Sequence, residues 1–116
     1  MRHSKEQIYK VTHAFLTQTG SDEYEAHLVA DHMLNANLRG HDSHGIGMIT
    51  MYTDYLKRGQ LHPNTPPTLV KDKGSILQFQ GNLGYGQRAG YEATAQAIAR
   101  AKENGICMYT IANCCH

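Results

Sequence analysis

Residues 38–48 read LRGHDSHGIGM. Two histidines, an aspartate, a serine and three glycines crowd this short stretch, a composition that suits neither a regular helix nor a strand. Helical patterns precede and follow it, so the sequence predicts a polar, glycine-rich junction between two helices. Functional residues are expected here first, because most of the remaining chain has the pattern of an ordinary scaffold.

Three helices are predicted before residue 61, from apolar side chains that recur at helical spacing. A capping-box pattern of Ser4 and Gln7 starts the first helix, and Ser21 is the predicted N-cap of the second. Each helix is predicted to stop at a glycine, the residue that most easily takes the left-handed conformation after a helix: Gly20, Gly40 and Gly59. Residues 1–61 are therefore expected to form a helical segment that carries the glycine-rich junction.

The pattern changes from helical to mixed after the prolines at 63, 66 and 67. Residues 68–71 and 75–80 flank a turn in the manner of a β-hairpin. A glycine-rich turn at 81–86 leads into an alanine-rich helix closed by Gly105, and residues 106–112 are predicted to form a buried strand. The expected fold is α/β of the α+β type: helices first, then a hairpin, a long helix and a strand of a mixed sheet.

The composition limits the classes of function. With 116 residues, of which 41% are hydrophobic, the chain is long enough to bury a real core. Eleven basic against ten acidic side chains give a net charge of +1, without the basic surface that nucleic acid or an anionic membrane requires. The lack of a long apolar run or a secretory signal favours a cytoplasmic location. Three cysteines are expected to be reduced thiols: Cys107, Cys114 and Cys115.

His44 is the strongest candidate for chemistry. A histidine at a glycine-rich junction ahead of a helix can be reached by a substrate and can transfer a proton. The alternative is structural, with His41 and Asp42 capping the third helix and His44 merely packing. A metal site is a third possibility, since His41 and His44 are three residues apart, Asp42 is adjacent and His116 offers a further ligand. A hydrolase triad of Asp42, Ser43 and His44 is excluded, because adjacent side chains cannot align as orienting group, nucleophile and base.

Two weaker signals lie outside the junction. The glycines within residues 81–86 suggest a phosphate-binding turn, but the spacing G-x-x-G-x-G matches neither the dinucleotide fingerprint nor a P-loop, so a tight turn is favoured. Side chains of the third helix would suit either an apolar ligand pocket or the core: Met48, Met51, Tyr52 and Tyr55.

The run ANLRGHDSHGIG, residues 36–47, resembles the signature of the type-2 malate/L-lactate dehydrogenase family. The resemblance continues in the family's order through the prolines, the glycine turn and the alanine helix to Asn113 and His116, and covers essentially the whole chain. It implies reversible hydride transfer between NAD or NADP and a 2-hydroxy acid or 2-oxo acid. It also implies a homodimer and a non-Rossmann dehydrogenase fold, in which residues 62–116 are the incomplete start of the cofactor-binding domain.

The same resemblance assigns catalytic and cofactor roles. The family's histidine at the position of His44 donates a proton to the carbonyl oxygen and lies against the nicotinamide. Ser43 would orient this histidine or hydrogen-bond the substrate. Asn113 and His116 match positions close to the cofactor. No metal is expected in this mechanism.

Substrate binding departs from the family's pattern. Many family members carry arginine where this chain has Met48, so the apolar side chain favours a bulkier or more apolar 2-oxo acid. Arg39 is then a candidate to bind the substrate carboxylate. The expected partner is a small-molecule acid, and neither nucleic acid nor a membrane is expected.

Family chains are much longer, and this sequence resembles their N-terminal part only. The strand at 106–112 would then lack neighbours, and the isolated chain is expected to be oligomeric or prone to aggregation. Two alternative functions stay open at this point. One is an inactive N-terminal fragment that only folds or self-associates, and the other is a histidine-rich metal-binding module.

Overall fold

Four helices, one 3-10 turn and three strands make up residues 2–115, the part of the chain that this computed structural model describes. In chain order they are α1 (Lys5–Gln18), α2 (Glu23–Leu38), the 3-10 turn (Asp42–His44), α3 (Met48–Lys57), β1 (Thr68–Asp72), β2 (Ile76–Gln80), α4 (Gly86–Asn104) and β3 (Met108–Ala112). They form two compact units, Met1–Asn64 and Thr65–His116. Helices are followed by a mixed sheet, which confirms the predicted α/β class. No helix within residues 2–115 has the length and apolar character to cross a lipid bilayer.

The first two helices begin at side-chain caps. The predicted capping box of α1 is confirmed, since Ser4 Oγ accepts the N–H of Gln7 and Gln7 Oε1 accepts the N–H of Ser4. The predicted cap of α2 is wrong by one residue, because Asp22 rather than Ser21 accepts the N–H of Glu25, at 2.9 Å. A carboxylate is also favoured there by the helix dipole. Ser21 donates its hydroxyl to Glu25 Oε1 instead, at 2.7 Å.

A buried carboxylate ties the end of the first unit to the turn between α1 and α2. Glu25 is 0% exposed, and its Oε1 accepts the hydroxyl of Ser21 and the N–H of Asn64, each at 2.7 Å. The side chain of Asn64 accepts the N–H of Asp22 and donates to the carbonyl of Gly20. Helix α2 buries its apolar stripe beside this network: Ala26, Val29, Ala30 and Met33.

Helix α2 ends in a Schellman motif at the start of the glycine-rich junction. The N–H of Gly40 donates to the carbonyl of Asn37 at 3.0 Å, and the N–H of His41 donates to the carbonyl of Ala36 at 2.9 Å. Gly40 has φ +78°, a left-handed conformation that a Cβ would strain. The predicted stop is therefore confirmed, and the polar residues that follow leave the helix in a defined direction.

The second unit contains a three-stranded sheet in the order β1, β2, β3. Strands β1 and β2 form the predicted antiparallel hairpin, and β2 and β3 are parallel. Parallel neighbours need a long crossover, which α4 supplies before it ends at Gly105 as predicted. Leu77 and Phe79 of β2 form a buried cluster with Ala93 of α4, and this cluster is the core of the unit.

Strand β3 lies at the edge of the sheet, and the prediction of a buried strand at 106–112 is wrong. The strand begins at Met108, and Ile106 before it is 70% exposed. Tyr109 and Ile111 pack against the buried cluster, whereas Met108, which alternates with them, is 58% exposed. The continuous apolar run therefore reflects a strand with one covered face rather than two.

An arginine of α4 holds the hairpin turn. Nη1 and Nη2 of Arg100 donate to the two carboxylate oxygens of Asp72 at 2.6 and 2.7 Å, and Nη1 also donates to the carbonyl of Gly74. These hydrogen bonds from Arg100 lower the pKa of Asp72 to about 2. The bidentate pair connects the hairpin to the crossover helix independently of the buried cluster.

Replacing Glu25 with alanine should destabilise the first unit. Loss of Oε1 leaves the hydroxyl of Ser21 and the N–H of Asn64 without their acceptor, at a cost of about 2–4 kcal/mol. Glu25→Gln is the matched control, since its amide oxygen can still accept both hydrogen bonds and should cost less than about 1 kcal/mol. Urea unfolding followed by circular dichroism measures both values. Equal losses in the two variants would contradict the proposed network.

Asp72→Asn should lower stability at neutral pH but not in acid. Arg100 depresses the pKa of Asp72 in the folded chain below its unfolded value of about 3.9, so the carboxylate stabilises the fold above about pH 4. That contribution is lost as the pH falls toward the folded pKa of about 2. Urea unfolding at a series of pH values should show a difference between wild type and variant that closes in acid. A difference independent of pH would argue against the ion pair.

Candidate active site

The 3-10 turn holds the middle of the glycine-rich junction in a defined backbone path. The N–H of His44 donates to the carbonyl of His41 at 2.9 Å, and the N–H of Gly45 donates to the carbonyl of Asp42 at 3.2 Å. Further on, the N–H of Met48 donates to the carbonyl of Gly45 at 3.0 Å. The chain thus passes from α2 to α3 through hydrogen-bonded turns.

Ser43 and His44 form a side-chain pair on the surface of this turn. Ser43 Oγ lies 2.9 Å from His44 Nδ1, and both residues are exposed. The ring of His41 meets that of His44 edge to face, with the centroids 6.4 Å apart. A hydrogen bond at one ring nitrogen restrains the orientation of the imidazole, and an exposed imidazole can exchange a proton with a bound molecule. The arrangement therefore suits general acid–base chemistry.

His41 and Asp42 do not cap α3, so that structural interpretation is wrong. The residue that precedes the helix is Gly47, which makes no side-chain cap hydrogen bond. Asp42 Oδ1 instead accepts a hydrogen bond from Asn37 Nδ2 at 2.8 Å. His44 is also exposed rather than packed in the core. Asp42 was wrongly interpreted as a cap of α3 because its hydrogen-bond partner, Asn37, lies on the preceding helix, α2.

Asn37, which lies in the family-like run but was given no role from the sequence, contacts both ends of the turn. Its Oδ1 accepts the N–H of Ile46 at 2.8 Å while its Nδ2 donates to Asp42. A Cβ placed on Gly45 would collide with the Asn37 amide, so a larger residue there would displace the amide from its two hydrogen bonds. The partners are five and nine residues away, a spacing without a periodic signal. Only the glycine at 45 hints at a close approach.

The two candidate substrate residues lie at opposite ends of the junction. Arg39 is the exposed C-cap of α2, and Met48 is the half-buried first residue of α3. An exposed guanidinium can bind a carboxylate in bidentate fashion. Within residues 2–115, no group of three or more His, Cys, Asp or Glu side chains is arranged to hold a metal ion. His116, considered as a further metal ligand and as a cofactor residue, lies outside the described residues.

Asn113, the other predicted cofactor residue, follows β3 at the edge of the second unit. It is exposed and has φ +54°, a left-handed conformation that asparagine tolerates better than most residues. Its carbonyl accepts the N–H of Leu83 at 2.7 Å. The backbone of Asn113 is thus tied to the glycine-rich turn before α4, while its side-chain amide lies at an exposed position.

The turn at residues 81–86 is a tight turn, as the sequence favoured, and not a phosphate cradle. Four of its N–H groups donate to backbone carbonyls at 2.7–2.8 Å: those of Gly81, Leu83, Gly84 and Gly86. A phosphate would need those same donors. Gly81 is required for packing, since a Cβ there would lie 2.6 Å from the Cβ of Cys114.

All three cysteines are free in the structure. Cys107 and Cys114 are half-buried, and Cys115 is buried and pairs with Tyr85 in a parallel bridge. Burial, with a smaller contribution from Cys114, raises the pKa of Cys115 to about 11. Cys115 is therefore a packing residue rather than a nucleophile.

Gly45→Ala should disrupt the turn, whereas Gly47→Ala should not. The new Cβ at 45 would push the Asn37 amide away from Asp42 and Ile46, which predicts a loss of about 1 kcal/mol for each of the two hydrogen bonds. At Gly47, φ is −59° and the nearest atom to a Cβ, Asp42 O, is 3.4 Å away. Gly47→Ala should thus be neutral or slightly stabilising. Urea unfolding of both variants measures this difference, and equal stability would refute the close approach of Asn37.

Comparison with known proteins extends over nearly the whole chain. A family model described as malate/L-lactate dehydrogenase matches residues 3–116. Hydroxycarboxylate dehydrogenase B of Escherichia coli O157:H7 is 40% identical over 115 residues, which cover 99% of this chain and 32% of that protein. Malate dehydrogenase of Pyrococcus abyssi is 30% identical over 116 residues, which cover 100% of this chain and 32% of that protein.

The fold comparison leads to the same group of proteins. The solved sulfolactate dehydrogenase of Methanocaldococcus jannaschii superimposes with a TM-score of 0.93 at 33% identity, and the match covers 100% of this chain and 34% of that chain. The chain therefore spans about a third of the length of the relatives that it matches, and it corresponds to their N-terminal part.

Proposed function

Because this chain belongs to the malate/L-lactate dehydrogenase family, we propose that its glycine-rich junction is the acid–base part of a site that interconverts 2-hydroxy acids and 2-oxo acids. The observation that carries this proposal is the exposed imidazole of His44, restrained at Nδ1 by Ser43 Oγ at 2.9 Å. The relatives bear the names of malate, sulfolactate and hydroxycarboxylate dehydrogenases. Their shared chemistry is oxidation of a hydroxyl group beside a carboxylate.

His44 is the proposed catalytic acid and base. With Nδ1 facing Ser43, the proton that moves is the one on Nε2. In the direction of reduction, imidazolium donates this proton to the carbonyl oxygen of the 2-oxo acid, which becomes the hydroxyl group. In the direction of oxidation, neutral imidazole accepts the hydroxyl proton. Ser43 keeps the ring in one orientation during both steps.

NAD or NADP, when bound, supplies or accepts the hydride at the substrate carbon. His44 and Asn113 are both exposed, and the family resemblance is what connects them, together with His116, to a cofactor. We assign His44, Asn113 and His116 to cofactor binding. On the substrate side, Arg39 is assigned to the carboxylate, and the apolar Met48 favours a bulkier 2-oxo acid than pyruvate or oxaloacetate.

The proposal includes a homodimer, as the family resemblance implies, and a cytoplasmic location, as expected from the sequence. The exposed edge strand supports self-association, because Met108 and Ile106 leave apolar surface beside unpaired strand backbone within the described residues. An inactive fragment that only folds or self-associates is the competing proposal. The observation that favours self-association is the same exposed strand β3 at the edge of the described sheet.

Fluorescence titration of the folded chain with NADH and NADPH tests the proposed function. His44→Ala should weaken binding of the preferred nucleotide by about tenfold or more, equivalent to about 1.4 kcal/mol. His32→Ala is the matched control, because His32 is an exposed histidine on α2 away from the junction, and it should bind as the wild type does. Oxidation of the bound nucleotide by a panel of 2-oxo acids should also require His44.

Two results would overturn this assignment for the chain. Equal affinity in wild type and His44→Ala would remove His44 from the cofactor site. Failure of the folded wild-type chain to bind either nucleotide would favour the non-catalytic alternative. Circular dichroism of each variant must match the wild type, so that loss of binding is not loss of folding.

A further inference from the structure

The Asn37 amide fills two different hydrogen-bonding roles at once. A backbone N–H can only donate, so the atom that faces Ile46 N is the amide oxygen, at 2.8 Å. The amide nitrogen is therefore the atom that faces the Asp42 carboxylate, also at 2.8 Å. Donor and acceptor are matched at both ends of the side chain, and the bond to the carboxylate is charge-assisted.

These two bonds bracket the reactive pair in sequence. Asp42 directly precedes Ser43, and Gly45 and Ile46 directly follow His44. The amide also lies against Gly45 so closely that a Cβ there would displace it. A shift of the Asn37 amide would therefore release the chain on both sides of Ser43 and His44.

We infer that Asn37 is a positioning residue that holds the Ser43–His44 pair in the orientation needed for proton transfer. The role in proton transfer rests on the proposed function, whereas the contacts of Asn37 are features of the structure. Asn37 itself is half-buried on the last turn of α2, a helix whose apolar stripe is buried. The helix thus supplies a fixed reference point for two exposed side chains on a short turn.

A purely structural role for Asn37 predicts that its replacement lowers the stability of the chain but leaves the His44 ring unchanged in the folded state. A positioning role predicts a change at the His44 ring. The path of the turn is already held by backbone hydrogen bonds from His44 to His41 and from Gly45 to Asp42. Loss of the amide should therefore leave the chain folded while it releases the orientation of the Ser43–His44 pair. The useful readout is the His44 ring itself rather than the melting temperature.

Reversal of the donor and acceptor roles gives the sharpest test. Asn37→Asp keeps an acceptor for Ile46 but sets two carboxylates against each other at Asp42. Adding Asp42→Asn restores a donor opposite an acceptor with the roles exchanged. In the full chain, the His44 ring proton signals in nuclear magnetic resonance, identified by their absence from His44→Ala, should move in Asn37→Asp and return in the double variant. Amide exchange at Ile46 should speed up about tenfold or more in Asn37→Asp, because repulsion from Asp42 pushes the new carboxylate away from the Ile46 N–H, and should recover in the double variant.

Asn35→Asp is the matched control. Asn35 also lies on α2 and donates to an acidic side chain, Asp31, at 3.0 Å, so this variant makes the same change of charge outside the junction. Its His44 signals should match those of the wild type. If Asn37→Asp does not fold, the double variant must still fold with wild-type His44 signals.

Unchanged His44 signals in Asn37→Asp, or altered signals that persist in the double variant, would overturn the inference. Neither readout uses a nucleotide, so this failure is distinct from failure of the proposed function. Nicotinamide binding by a chain whose His44 is insensitive to Asn37 would keep the function and remove the positioning role. Rescue of the His44 signals in a chain that binds no nucleotide would keep the positioning role and remove the proposed function.

Discussion

The close approach of the Asn37 amide to Gly45 is the constraint on which the candidate site depends. It joins the end of a packed helix to a turn that carries exposed, reactive side chains. Exposed side chains on short turns normally sample many orientations, which costs catalytic efficiency when a proton must move between aligned groups. Here the backbone on either side of Ser43 and His44 is held to the helix by Asn37, and this is the basis of the positioning role that we infer for Asn37.

The rest of the first unit serves to place that helix end. The buried Glu25 ties the start of α2 to the end of the unit through Ser21 and Asn64, and the Schellman motif at Gly40 turns the chain out of the helix. The second unit has its own supports, a buried cluster under β2 and the bidentate pair of Arg100 and Asp72. Each unit is thus stabilised by its own core and by polar connections between distant residues.

Local patterns explain which features the sequence could predict. Capping residues, glycine stops and apolar periodicity depend on near neighbours, so the capping box at Ser4, the end of α2 at Gly40 and the hairpin are confirmed. The prediction of a buried strand at residues 106–112 was wrong because the sequence of a strand does not show how many neighbouring strands it has. Asn37 was missed because its partners lie five and nine residues away on another element. The assignment of His44 came from the family resemblance as much as from its position.

The central claim is that the His44 ring lies against a nicotinamide. A nuclear Overhauser measurement between the His44 ring protons and the C4 proton of bound NADH or NADPH tests it most directly. We expect a cross-peak that is lost in His44→Ala and kept in His32→Ala. A saturated complex in which the C4 proton shows cross-peaks only to other residues would contradict the claim, as would a folded chain that binds neither nucleotide.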